Sequence, residues 1–563
     1  MQALSKDERY FAQASTSLKS KQPTPVLDWS KGATYENVVA TVRSVLGQDY
    51  PIHKKGDVYV KPEGFVVYDA LSNVLPFHST QSTFFWTHFC RPYGSMMETA
   101  NYTLEAQTKL LTFIFARVVG LMGPDERPTN PTMLTIDGSP CEGSWVIPTG
   151  SQPVAGEVNR QIRFCVQPTD PRTGKFLRGS QVLDWLASFE GGLGVVVVKE
   201  GWEDWRRECE KFFFSEDDSA QENCPPGTGF YLGFALDPSG RVGLKSYYQP
   251  TVRRPGQTPL TKSPIHIGDK DFSPMTQLLS ACHPSLVDQF QLMLEYFDSV
   301  EDRLKPLFHM IAVDAAPLEK NRFKIYFQTR TGFSFDDVKR NFSLGGRLNT
   351  PEFKKNMDRL EMLWNLLFPS TPSNSHRDAE TLTEIDKDHQ DHDEHPVSCF
   401  GWYYEFAVNS PSLVPKVYFP CRHYCQDDAK VFQAMQDFYD HPTVDVHGPP
   451  DGEHGRDWVI KEAAKSYNHR DLAERPGMTT WVTFGHKHTG YEMMTYFSPE
   501  IWVDRRVQNP PIVNTTRRSI LPSASTSETL GSKPQSRSML GSLPVLALGL
   551  GAVLAAYTWT QQP

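Results

Sequence analysis

Residues 321–329 read NRFKIYFQT. In an extended strand, residues two apart share a face. Arg322, Lys324 and Tyr326 therefore lie on one side, and Phe323 and Ile325 point to the other. This inverts the usual half-buried strand. The apolar face needs a cover, which helices can supply, and the cation and tyrosine face must line something else. The pattern recurs as Lys245-Ser-Tyr247-Tyr248 and Lys416-Val-Tyr418-Phe419. Thr495-Tyr496-Phe497-Ser498-Pro499 keeps the Tyr-Phe-x-Pro half, and the strand before it ends at Lys487. IRFCVQP (162–168) keeps the cation, Arg163, and the closing proline. By subtraction, Arg163 to Lys245 is 82 residues, Lys245 to Lys324 is 79, Lys324 to Lys416 is 92, and Tyr418 to Tyr496 is 78. Near-equal spacing of one motif means one supersecondary unit repeated.

Helical spacing of apolar residues over 104–123, 284–304, 351–368 and 428–440 predicts helices between these strands. GFYLGFALDP (229–238) and TTWVTFGHK (479–487) read as further strands, so each unit holds two helices and two strands. Successive strands laid side by side make one cation and tyrosine surface, and closing the sheet makes that surface a lumen. Buried cations need water or an anion. A diphosphate suits Arg and Lys, and tyrosine faces attract a carbocation. One carboxylate stands just before the first cation strand: Glu142, in SPCEGSW (139–145), a candidate base or hydrogen-bond acceptor.

The chain has 563 residues, 39% of them hydrophobic and 22% charged, which is a globular composition. A net charge of −9 disfavours nucleic acid as a partner. Nine scattered cysteines without C-x-x-C pairs disfavour a disulfide framework or a zinc ribbon. The polar start MQALSKDERYFAQAS lacks the apolar core of a secretory signal. Residues 370–398 are acidic and His-rich without apolar periodicity and read as a disordered insertion. A metal site built from Asp386, Asp388, His389, Asp391, His392 and His395 is the alternative. LPVLALGLGAVLAAYTW (543–559), uncharged and closed by Tyr557 and Trp559, is long enough to span a bilayer. The Arg and Lys residues before it place the body on the cytosolic side.

MMETANYT (96–103), GSPCEGSW (138–145), IRFCVQPTDPRTG (162–174), GLKSYYQP (243–250), NRFKIYF (321–327), LGGR (344–347), PKVYFP (415–420) and MMTYFSP (493–499), taken together, resemble the fungal dimethylallyltryptophan synthase family of aromatic prenyltransferases. The likeness runs from about 84 to 503. It implies an α+β fold: a ten-stranded antiparallel barrel of five ααββ repeats ringed by helices, the ABBA prenyltransferase barrel. It also implies that Glu142 bonds the acidic proton of the acceptor. Arg163, Lys245, Arg322, Lys324 and Lys487 would bind diphosphate, and Tyr247, Tyr326, Tyr418 and Tyr496 would shield the allyl cation. Lys416 stands where family members often have Gln and adds a cation. Tryptophan-C4 members carry a lysine on the strand matching 229–237; this sequence has none, with Tyr231 or Gly233 nearest.

The expected organisation is an N-terminal extension over 1–83, the barrel over 84–503, a basic linker over 504–540 and a membrane helix over 541–560. The expected activity is dimethylallyl transfer from dimethylallyl diphosphate to an indole or phenolic acceptor in secondary metabolism. It needs no cofactor and no metal, because protein cations neutralise the diphosphate. The partners are these small molecules and a membrane, with a homodimer admitted, and the location is the cytosolic face of the endoplasmic reticulum as a single-pass tail anchor. A metal-dependent isoprenoid synthase and a non-catalytic carrier of aromatic metabolites are the rival readings. For the first, Asp336-Asp337-Val-Lys-Arg lacks the last acid of a DDxxD motif.

Overall fold

The computed structural model describes residues 53–503, apart from 148–160, 214–228, 250–270, 370–399, 445–456 and several shorter stretches. Ten strands, numbered here in barrel order, form one closed antiparallel barrel in which every neighbour in sequence is a neighbour in space. They are β1 (Cys141–Ile147), β2 (Ile162–Val166), β3 (Gly229–Leu236), β4 (Val242–Gln249), β5 (Leu307–Asp314), β6 (Arg322–Gln328), β7 (Gly401–Ala407), β8 (Val414–Phe419), β9 (Thr479–Lys487) and β10 (Gly490–Phe497). The barrel closes where β10 pairs with β1, Tyr496 opposite Ser144. Closure leaves no open edge. A small hairpin, His53–Lys55 with Val58–Val60, is separate from it.

Two helical stretches precede each strand pair. Helices over 80–99 and 104–121 lead into β1–β2, and Gly179–Ala187 and Trp202–Phe213 lead into β3–β4. Ser273–Cys282 and Ser285–Asp298 precede β5–β6, Phe335–Phe342 and Pro351–Leu367 precede β7–β8, and Asp428–Tyr439 and Trp458–Ser466 precede β9–β10. This is the fivefold ααββ order expected. Caps set several helix starts: Thr350 accepts from the Phe353 N–H before Pro351, and Asp427 accepts from the Lys430 N–H. The stretch expected as one helix over 104–123 is helical over 104–121, with a wide π turn at Ile114–Val118 and a tight 3-10 turn at Val119–Leu121, and Met122 already bridges to Thr169.

The core lies between barrel and helices, on the face that NRFKIYFQT assigned to apolar residues. Phe323, Ile325 and Phe327 are buried. Phe327 meets Phe297 edge-on at 5.1 Å, and Phe323 lies 6.3 Å from Trp205. Before the barrel, Val67 and Leu71 are also buried in this core, and Tyr68 stacks on Trp86 at 4.9 Å. Three strands escaped the sequence reading: β1, β5 and β7. LFHMIAVD and GWYYEFA do not alternate apolar with polar, because their lumen face also carries apolar or aromatic side chains, Met310 and Ala312 on β5 and Tyr403 on β7.

Among the described residues, no helix is long and apolar enough to cross a membrane. The linker over 504–540, the membrane helix over 541–560 and the acidic stretch 370–398 lie outside the described residues.

Candidate active site

The even-numbered strands run in one direction around the barrel, so equivalent positions fall at equivalent heights. Inward from β6 come Arg322, Lys324 and Tyr326 in axial order, and from β4 come Lys245 and Tyr247. β8 contributes Lys416 and Tyr418, β2 Arg163 and Cys165, and β10 Tyr496. The lumen is thereby layered into two adjoining chambers. One is lined by Arg163, Lys245, Lys324 and Lys416. The other is lined by Tyr231, Gln249, His309 and Trp481. Glu142, Cys165 and all four expected tyrosines border both. Arg322 and Lys487 stand further out, their side chains 33% and 31% exposed, as a rim rather than a chamber wall.

The cations are not alone, which corrects the picture of a lumen with a single acid. Asp314 on β5 takes Lys245 at 3.0 Å and Arg322 at 2.6 Å. Glu405 on β7 takes Arg322 at 3.2 Å, and Glu492 on β10 takes Lys416 at 3.0 Å. Register sets Lys245 opposite Asp314 and Lys324 opposite Glu405, the latter pair 3.9 Å apart. Gly485, between Lys416 and Glu492, has no side chain to block their contact. Burial alone would raise the Asp314 pKa, but Arg322, Lys245 and Lys324 outweigh it and hold the carboxyl well below the usual range. Glu492 is held down likewise, against burial, by Lys416 and Lys487. The lysines carry the cost. Burial lowers Lys245 and Lys324, and it brings Lys416 to about 8 despite Glu492. Six basic side chains face three acids, so basic groups are in excess and the chamber suits an anion such as a diphosphate.

The tyrosines form a continuous belt. Tyr326 lies 6.3 Å from Tyr247 and 6.1 Å from Tyr418, and Tyr418 lies 5.3 Å from Tyr496. Tyr403 on β7, missed in the sequence because β7 was missed, adds a fifth ring 5.1 Å from Tyr326 and 5.9 Å from the Lys324 ammonium. Burial pushes all five hydroxyls up, so they stay neutral.

Glu142 projects from β1 into this belt and accepts from the Thr480 hydroxyl at 2.9 Å. Its pKa is pushed up to about 8 by burial, against the hydrogen bonds from Thr480 and Trp481. Thr480 is fixed by its neighbours, since Asp428 at a helix start accepts from the N–H of Thr479 at 2.7 Å and of Met478 at 3.2 Å. Gly233, near where the family lysine would stand, faces Lys245; a side chain there would collide with the Tyr247 ring. Among the described residues there is no cluster of acids, histidines or cysteines placed to hold a metal. Asp337, from the partial DDxxD match, is buried outside the barrel and is bonded to Ser334 and Arg340.

A closed ten-stranded barrel with a tyrosine belt above a cation chamber is matched at the level of sequence by the family model for tryptophan dimethylallyltransferase, which covers residues 81–445. The chain belongs to that family. It is accordingly an aromatic prenyltransferase. The family member is similar, at 26% identity over 472 residues, to a 7-dimethylallyltryptophan synthase of Aspergillus fumigatus, with 77% of this chain and 89% of the relative covered. An indole diterpene prenyltransferase of Penicillium janthinellum is 22% identical, with 77% and 94% covered. Among solved structures, NotF in complex with brevianamide F and DMSPP superposes with a TM-score of 0.57 at 18% identity, over 77% of this chain and 99% of that one. AnaPT from Neosartorya fischeri gives 0.54 at 15% identity, over 77% and 98%. These two likenesses concern the fold.

Proposed function

We propose that this family member transfers a dimethylallyl group from dimethylallyl diphosphate to carbon of an aromatic acceptor in secondary metabolism. The observation that carries this reading is the tyrosine belt bordering both chambers, with cations on one side only. The relatives' names and the ligands of NotF, brevianamide F and DMSPP, point the same way.

Lys245, Lys324, Lys416 and Arg163 bind the diphosphate, with Arg322 and Lys487 at the rim. Their charge stabilises the leaving group as the carbon–oxygen bond breaks. No metal is needed for this step, because the protein supplies the positive charge. Tyr247, Tyr326, Tyr418, Tyr496 and Tyr403 surround the allyl cation with ring faces and exclude water. In its ionised form Glu142 accepts from the acidic N–H or O–H of the acceptor and raises the electron density of its ring. The ring attacks the cation, and the ring proton then leaves to a base.

The barrel body over 84–503 carries the chemistry, preceded by the extension 1–83. The linker 504–540 joins it to an apolar segment, 541–560, that crosses the endoplasmic reticulum membrane and holds the body on the cytosolic face. The uncharged length of that segment and the Arg and Lys residues before it support this placement.

The test is incubation of the full chain with dimethylallyl diphosphate and a panel of indoles and phenols, with and without EDTA, read by product mass. One added prenyl unit, unaffected by EDTA and absent in Lys324→Ala, is the expected result. Transfer that requires Mg²⁺ would refute the metal-free mechanism.

A further inference from the structure

The inward layering of the even strands continues one step past the tyrosines. Two residues beyond Tyr247 stands Gln249, and two beyond Tyr326 stands Gln328. Both line the chamber on the far side of the belt from the cations. Gln249 is 3% exposed. The Tyr231 hydroxyl, from the neighbouring strand β3, donates to its side-chain carbonyl and fixes the amide. The Gln249 amide N–H groups make no hydrogen bond among the described residues and are not sealed off from the chamber. Amide donors that face an open chamber can be taken by a ligand's carbonyl oxygen in place of water.

Charge divides the same two chambers. The described residues lining the far one include no Lys or Arg, and its titratable groups with any reach to a substrate are Glu142 and His309, besides tyrosines and Cys165. Burial keeps the Glu142 proton on to about pH 8. A free amino acid would bring a carboxylate here with no permanent cation to meet it, and a buried unpaired carboxylate is heavily penalised. A neutral oxygen would meet the Gln249 amide with its hydrogens already aimed.

We propose that the acceptor is an uncharged aromatic compound carrying an amide- or ketone-type carbonyl that accepts from Gln249, and that free tryptophan is not the acceptor. Tyr231 is the positioning residue that orients the amide. This rests on the transferase reading above and specifies its substrate class. A site built around a hydrogen-bonding group discriminates strongly against ligands that lack it.

The experiment measures equilibrium binding to the full chain in the presence of inorganic diphosphate, which fills the cation chamber. Three compounds share one indole: L-tryptophan, 3-methylindole and the cyclic dipeptide of tryptophan and glycine. The cyclic dipeptide is expected to bind at least tenfold tighter than either of the others. Gln249→Leu should erase its advantage over 3-methylindole while leaving the affinity for inorganic diphosphate unchanged, which also reports that the barrel is folded. Tyr231→Phe should erase part of it. Equal or tighter binding of tryptophan overturns the proposal, above all if His309→Asn abolishes that binding. So does a Gln249→Leu protein that keeps the wild-type preference. Selective binding of the cyclic dipeptide with no prenyl transfer to any compound would uphold the recognition proposal and sink the transferase reading instead.

Discussion

Glu142 is an acid kept protonated by its surroundings, and that has a thermodynamic signature. Its folded pKa, about 8, lies above that of an ordinary glutamate. Between those values the folded state holds a proton that the unfolded chain has released. The stability is therefore fully present below the ordinary carboxyl range and declines as pH rises toward 8. Glu142→Gln cannot ionise and should escape this decline. Thermal melts should coincide at pH 4.5 and separate at pH 8.5. The variant should then be more stable by a few kcal/mol, at ~1.4 kcal/mol for each pH unit between the folded and unfolded values. Turnover should fall sharply in the same variant. Thr480 acts on the same carboxyl through its hydroxyl, which favours the ionised form. Asp137 in the loop before β1, Cys165 on β2 and Tyr496 on β10 are the other titratable groups facing it. Thr480→Val should therefore move the acidic limb of the rate–pH profile upward by about one pH unit, the worth of one hydrogen bond to a charged group. An unmoved limb would mean that Glu142 does not set that profile.

Each strand pair contributes both a charge and its counter-charge. Asp314, at the end of β5, holds Lys245 and Arg322 at 3.0 and 2.6 Å. A diphosphate entering that chamber must compete with it. Asp314→Asn frees those cations, and inorganic diphosphate should bind several-fold tighter by calorimetry. The same variant should lose ~3–5 kcal/mol of stability, because buried cations are left without their partner. β8 contributes Tyr418, whose ring touches Tyr326, Tyr403, Trp481 and Tyr496. The ring face, not the hydroxyl, is what shields a cation. Tyr418→Phe should preserve coupling, whereas Tyr418→Ala should divert donor to dimethylallyl alcohol. The ratio of alcohol to prenylated product measures this directly, and equal ratios in both variants would refute the shield.

The whole chain follows its barrel with an apolar stretch over 541–560, proposed above as an anchor. In a flotation assay with phosphatidylcholine vesicles, the full chain should rise with the lipid and a chain ending at Val503 should not. Prenyl transfer to a water-soluble acceptor should be the same in both. Recovery of the full chain in the soluble fraction would exclude the anchor.

The residues of the repeat carry much of the design by themselves. A strand has two faces at a period of two, so RFKIYF alone separates what meets the helices from what meets the lumen. The recurrence of that separation specifies a closed sheet, the donor chamber and the tyrosine belt. Following the same period two residues further would also have disclosed Gln249 and Gln328. What the chain could not disclose is whom the cations meet. Asp314 and Glu405 lie on strands whose lumen face also carries Met310, Ala312 and Tyr403, so alternation is lost and with it the sign of which side chains point inward. Arg322 and Glu405 are 83 residues apart, and Thr480 and Glu142 are 338 apart. No local rule relates such positions; closure of the barrel and its strand register bring them together. The sequence by itself determined which cations and tyrosines the even-numbered strands turn to the lumen, and their axial order. Only the tertiary structure decided how those groups neutralise one another across strands, because lateral contact is a property of register and closure rather than of any segment.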